Sequence, residues 1–101
     1  MIRILGSVKV PKSLIILAAV TNAAYDLGIS VTLTSGNDST HMPGSKHYSD
    51  EALDFRTHGY DLARSTQWKT LSLQRLGAAY QGWVEHPGLP NEHMHIEYDP
   101  S

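Results

Sequence analysis

The sequence predicts an α+β fold, a single domain over residues 1–101 with two main helices and a small sheet. Two stretches of apolar residues at helical spacing and two short segments of period-two alternation carry that expectation. With 101 residues, 41% of them apolar, the chain can enclose one modest hydrophobic core but not two.

The first helix opens at Pro11 or Lys12, where proline is tolerated in a first turn. Leu14, Leu17, Ala18, Thr21, Ala24 and Tyr25 trace its largely apolar face, and Gly28 supplies the stop. This run also has to be weighed as an export signal, since Arg3, Lys9 and Lys12 precede it. About seven apolar residues run uninterrupted before Thr21, well short of the ~18 a membrane span needs, so Leu14 to Ala24 reads as a helix of a soluble domain. No signal peptide is expected. Synthesis in the cytoplasm, with release to the cell wall by lysis or through a holin, is compatible with that reading.

Next, Ile29, Val31 and Leu33 alternate with Ser30, Thr32 and Thr34, the pattern of a strand with one buried face. Residues 35–50, SGNDSTHMPGSKHYSD, hold no periodicity and read as a long loop, of the kind that tends to carry function. Ala52 to Phe55 then predicts a short strand. Apolar residues from Leu62 to Tyr80 predict a helix over 60–80, irregular near Trp68. A segment punctuated by glycine and proline, GWVEHPGLPNE, leads into a closing strand, HMHIEY, which ends before Pro100.

Composition excludes several function classes. The formal charge is -2 and the 8 Lys and Arg are scattered, so there is no basic stripe and nucleic acid is not an expected partner. The absence of cysteine removes disulfides, thiolate nucleophiles and sulfur-rich metal sites, leaving His, Asp and Glu as the strong ligands.

Those residues concentrate in two places: His47 and Asp54, with six residues between them, and the cluster Glu92, His93 and His95. A catalytic zinc site typically takes three nitrogen or oxygen ligands and keeps a fourth position for water, and His47, Asp54 and His95 would make such a set. On a strand His93 and His95 share a face, while Glu92 stands at the strand entrance, where its carboxylate could take a proton from the attacking water. Spacing alone leaves an even alternative, in which these are ordinary surface or core residues; Asp54 could pair with Arg56 or Lys46 instead.

The wider pattern resembles a known family. Ser45, His47, Ala52 and Asp54 match the S-x-H-x-x-G-x-A-x-D signature of the zinc metallopeptidases that include D-Ala-D-Ala carboxypeptidases and phage L-alanyl-D-glutamate endopeptidases, with Asp50 in place of the glycine. Thr34, Ser35 and Gly36 are similar to that family's T-S-G, and Glu92 to His95 resembles its E-x-x-H, while His93 and His95 also fit an H-x-H variant. The resemblance covers roughly residues 30–98.

The resemblance implies a small antiparallel sheet with the helices packed beside it and one zinc ion in a cleft, held by His47, Asp54 and His95. It implies Glu92 as general base, with His93 the competing candidate, and hydrolysis of peptidoglycan peptides or D-amino-acid dipeptides; separately, a monomer is expected. Where the family carries an arginine after T-S-G, this chain has Asn37 and Asp38; Arg56, two residues past Asp54 and so on the same strand face, is expected to supply the cation. Ser45 and Trp83 are the candidate substrate-binding residues, with a loop hydrogen bond and a core position as their respective alternatives. Tyr98 is a weaker candidate of the same kind. His41, His58 and His86 are expected to be bystanders. The runner-up function is a non-catalytic zinc-binding recognition module, since the hedgehog signalling domain is related to this family.

Overall fold

The computed structural model describes residues 11–35, 51–57 and 59–100. In chain order the elements are α1 (Lys12–Leu27), β1 (Leu33–Ser35), β2 (Ala52–Arg56), α2 (Leu62–Leu76), β3 (Tyr80–Glu85) and β4 (His93–Tyr98). The four strands form one sheet in the order β1-β2-β4-β3, antiparallel at each pairing, and the two helices pack against each other and against one face of it. The architecture is α+β, as the element pattern predicts.

Helix α1 follows Pro11 and stops where Gly28 turns left-handed at φ 70°, sending its N–H back to the carbonyls of Ala24 and Tyr25. Its buried side is Ile16, Val20, Ala23 and Ala24, so the inward stripe is rotated from the expected one, and Leu14 and Tyr25 are exposed. Apolar residues surround most of this helix, which leaves periodicity a weak guide to its orientation. Helix α2 is shorter than the expected 60–80 and shows no irregularity at Trp68. Asp61 caps its amino end by accepting from the Arg64 N–H at 2.7 Å, and Gly77, at φ 97°, ends it.

The core lies between helices and sheet. Trp68, fully buried, donates its indole N–H to the Val20 carbonyl at 3.1 Å and meets Phe55 edge-on at 6.0 Å, in a cluster that also takes in Met94 and Ile96 of β4 and Ile16 and Val20 of α1. Full burial of each such side chain contributes roughly 1.5–3 kcal/mol. Two arginines of α2 tie the helices together: Arg64 donates to the Leu27 carbonyl at the end of α1, and Arg75 bonds both Asn22 and Asp26.

Two further differences from the sequence reading have physical causes. The strand expected over 29–34 shrinks to Leu33–Ser35, because the Ile29 N–H bonds back to Ala24 and that of Ser30 bonds the Tyr60 hydroxyl, taking both out of any ladder. Strand β3, expected to be helix end and loop, instead forms the sheet edge beside β4. Its Gly82 hides the strand pattern and is also what lets the strand pack. A Cβ there would stand 2.5 Å from Ile96 Cδ1 and 2.6 Å from the His95 carbonyl oxygen.

Among the described residues, no helix is long and apolar enough to cross a membrane.

Candidate functional site

Strand alternation sorts the sheet into two chemically different faces. Leu53, Phe55, Met94 and Ile96 point to the helices and are buried. The intervening residues, Asp54 and Arg56 on β2, His93, His95 and Glu97 on β4, and Trp83 and Glu85 on β3, share the opposite face. Register sets them in rows: Asp54 lies opposite His95, which lies opposite Trp83, and Arg56 lies opposite His93, which lies opposite Glu85.

His95 sits at the centre of this grid. Its Nδ1 is 2.7 Å from Asp54 Oδ1, its Nε2 is 2.7 Å from Glu97 Oε1, and the Trp83 indole stacks on its ring at 4.7 Å between centroids. Burial on its own would lower the His95 pKa, but the hydrogen bonds and negative charges of Asp54 and Glu97 outweigh it and raise the value above the ordinary 6.5. Trp83 is fixed in turn, since its indole N–H donates to Glu85 Oε1 at 2.7 Å. His93 donates from Nδ1 to the Asn91 carbonyl at 2.9 Å, which leaves Nε2 facing Glu85 Oε2 at 3.1 Å and Asp54 Oδ2 at 3.8 Å.

Beside this row opens a cleft of about 510 Å³, bordered by Thr34, Asp54, Arg56, Asn91, Glu92 and His93. Glu92 is held by two donors: the hydroxyl of Thr57, a fully buried residue, reaches its Oε1 at 2.5 Å, and the Gly88 N–H reaches its Oε2 at 2.7 Å. The loop that brings Gly88 there is tightly turned, with His86 at φ 51° and Gly88 at φ 81°.

Of the residues singled out in the sequence, Asp54 and His95 are in direct contact, Glu92, His93 and Arg56 border the same cleft, and Trp83 packs on His95. Tyr98 is turned to the other face, against Tyr80 and the Lys12 ammonium. His47 and Ser45 lie outside the described residues, as do His41 and His58. Glu97, Glu85 and Thr57 escape the sequence reading. Period two from His95 would have found Glu97, whereas Glu85 depends on recognising β3 and Thr57 on a contact across 35 residues.

The donor chemistry suits a zinc ion. An imidazole nitrogen and a carboxylate oxygen are standard ligands, and two donors of a tetrahedral ion stand roughly 3.3 Å apart, so Asp54 and His95, now hydrogen-bonded at 2.7 Å, would have to separate and the carboxylate swing off the Nδ1 axis to admit one. Among the described residues no three His, Asp or Glu groups converge as a complete metal cage, and the third expected ligand, His47, is not among them. No protein-family model, curated protein or solved structure matches the chain.

Proposed function

We propose that the chain is a zinc-dependent peptidase that hydrolyses bacterial cell-wall peptides containing D-amino acids, such as D-Ala-D-Ala ends or an L-Ala-D-Glu link. The observation that carries this reading is the pairing of Asp54 with His95 across two central strands, 2.7 Å apart at the edge of a cleft that Glu92 also borders. His47, Asp54 and His95 are the residues that would hold the ion. When bound, it supplies Lewis acidity toward a water and a carbonyl oxygen.

The chain's own groups carry the proton and charge movements. Glu92 accepts a proton from the attacking water and returns it to the departing amine, a role that requires a carboxylate of fixed direction, and the Thr57 and Gly88 donors supply that direction. The guanidinium of Arg56, on the cleft wall, offsets the negative charge that develops on the substrate oxygen. Trp83 offers an apolar surface beside His95 against which a peptide side chain can rest.

A second reading, a non-catalytic zinc-binding recognition module, is favoured by one observation: Asn37 and Asp38 occupy the positions where the resembling family has its arginine. Elemental analysis combined with a digest of cell-wall peptides separates the readings. The peptidase releases new amino ends and carries one zinc per chain, and His47→Ala loses both. Zinc retained in full by His47→Ala would overturn the ligand assignment, and zinc without turnover would leave the recognition module.

A further inference from the structure

The imidazole of His95 touches a carboxylate at each nitrogen, and the two carboxylates are not equivalent. Asp54, at Nδ1, borders the open cleft. Glu97, at Nε2, stands away from it: its side chain is 12% exposed, and its other oxygen accepts from Gln81 Nε2 at 2.7 Å, the same amide nitrogen reaching Asp99 at 3.0 Å. Register explains the arrangement, since Gln81 of β3 lies opposite Glu97 of β4 two residues along, and so on the same face, from the Trp83 and His95 pair.

Resting on the zinc reading above, we propose that Glu97 is the positioning residue of the metal site, holding His95 through Nε2 so that Nδ1 is the nitrogen presented to the ion. An imidazole that binds a metal through one nitrogen keeps its remaining proton on the other, and a carboxylate accepting that proton fixes both tautomer and ring angle. Glu97 takes that proton, Gln81 fixes Glu97, and stacking by Trp83 stops the ring from swinging out of the plane in which both bonds form. Strands β3 and β4 thereby hold one ligand atom in place, before any substrate is present.

Zinc affinity of the metal-free chain, measured by competition with a chromogenic chelator, tests the assignment without reference to turnover. Glu97→Leu is expected to bind zinc 10- to 100-fold more weakly than the wild type, the range seen when such outer partners are removed. Glu97→Gln keeps an oxygen that can accept from Nε2–H and is expected to lose less, which also covers the case in which the leucine variant fails to fold. Imidazole nitrogen NMR of the zinc-loaded wild type is expected to find the His95 proton on Nε2. Unchanged zinc affinity in both variants, or zinc on Nε2 with the proton on Nδ1, would overturn the role of Glu97 and leave the zinc reading intact. A wild-type chain that binds no zinc would remove the zinc reading and this role together.

Discussion

The Thr57 hydroxyl donates a 2.5 Å hydrogen bond to Glu92 Oε1 across 35 residues of chain, joining the end of β2 to the start of β4. Bonds of this kind to a charged acceptor are among the stronger ones in proteins. Thr57→Val keeps the shape and removes the donor. The variant is expected to lose about tenfold in kcat with little change in KM, and Thr57→Ser is expected to recover most of it. Equal kcat in the valine variant and the wild type would show that the direction of the Glu92 carboxylate does not depend on this bond.

On the peptidase reading, a variant at Glu92 is expected to separate metal holding from proton transfer. Glu92→Gln is expected to retain its zinc by elemental analysis while peptide hydrolysis falls by roughly 10²- to 10⁴-fold, the usual contribution of a general acid–base group. Zinc loss in that variant would instead make Glu92 a ligand.

The raised His95 pKa gives the metal-free chain a defined pH dependence. A histidine that binds its proton more tightly when folded adds stability that is fully present below its unfolded value near 6.5 and is lost as pH rises through the higher folded value. Denaturant midpoints of chelator-treated protein are therefore expected to fall as the pH rises above the ordinary 6.5, and His95→Asn is expected to flatten that slope. On the zinc reading, binding is expected to run the other way: the ion would displace the Nδ1 proton, so affinity should weaken in acid, beginning at a higher pH than an ordinary histidine would give. Isothermal titration at pH 6, 7 and 8 measures it.

Gly82 lies where β3 comes closest to β4. Gly82→Ala would press a methyl group against the His95 carbonyl oxygen, and backbone cannot retreat as a flexible side chain can. A loss of about 1–3 kcal/mol in stability is expected, read as a lower denaturant midpoint.

Ser65 offers the opposite sign. Its Oγ is buried with no hydrogen-bond partner among the described residues, and a hydroxyl in that position carries a desolvation cost that nothing offsets. Ser65→Ala, at a helical position where alanine is also the better helix former, is expected to raise stability by about 1 kcal/mol, visible as a higher thermal midpoint. A lower midpoint would show that the hydroxyl has a partner.

The parts of this molecule legible in its sequence are those governed by short-range rules. Gly28 announces the end of α1, and the alternation of HMHIEY places His93 and His95 on one face of β4. Local rules fail where a residue answers to a distant partner. Gly82 looks like a breaker because its reason for being there, the approach of Ile96 and the His95 carbonyl, lies on another strand. Ile29 and Ser30 carry a strand pattern that the helix cap and the Tyr60 hydroxyl override. The site divides in the same way: Asp54, Glu92 and His95 stand out by residue type and spacing, whereas Thr57, Glu85 and Glu97 are ordinary polar residues until register brings them alongside. The inward face of α1 was least legible, since a helix apolar on most sides gives its own periodicity little to report.

Because the sheet keeps its apolar residues on the helix side and its ionisable ones on the other, substitutions on the two sides answer to separate constraints. Replacing a group in the row of Asp54, His95 and Trp83 changes the polar face while the packing of Phe55, Met94 and Ile96 against Trp68 lies on the other side of the sheet. The apolar side thus holds the strands together through contacts that the ionisable side does not share, which makes the open side of this sheet a natural surface on which to vary polar groups by selection.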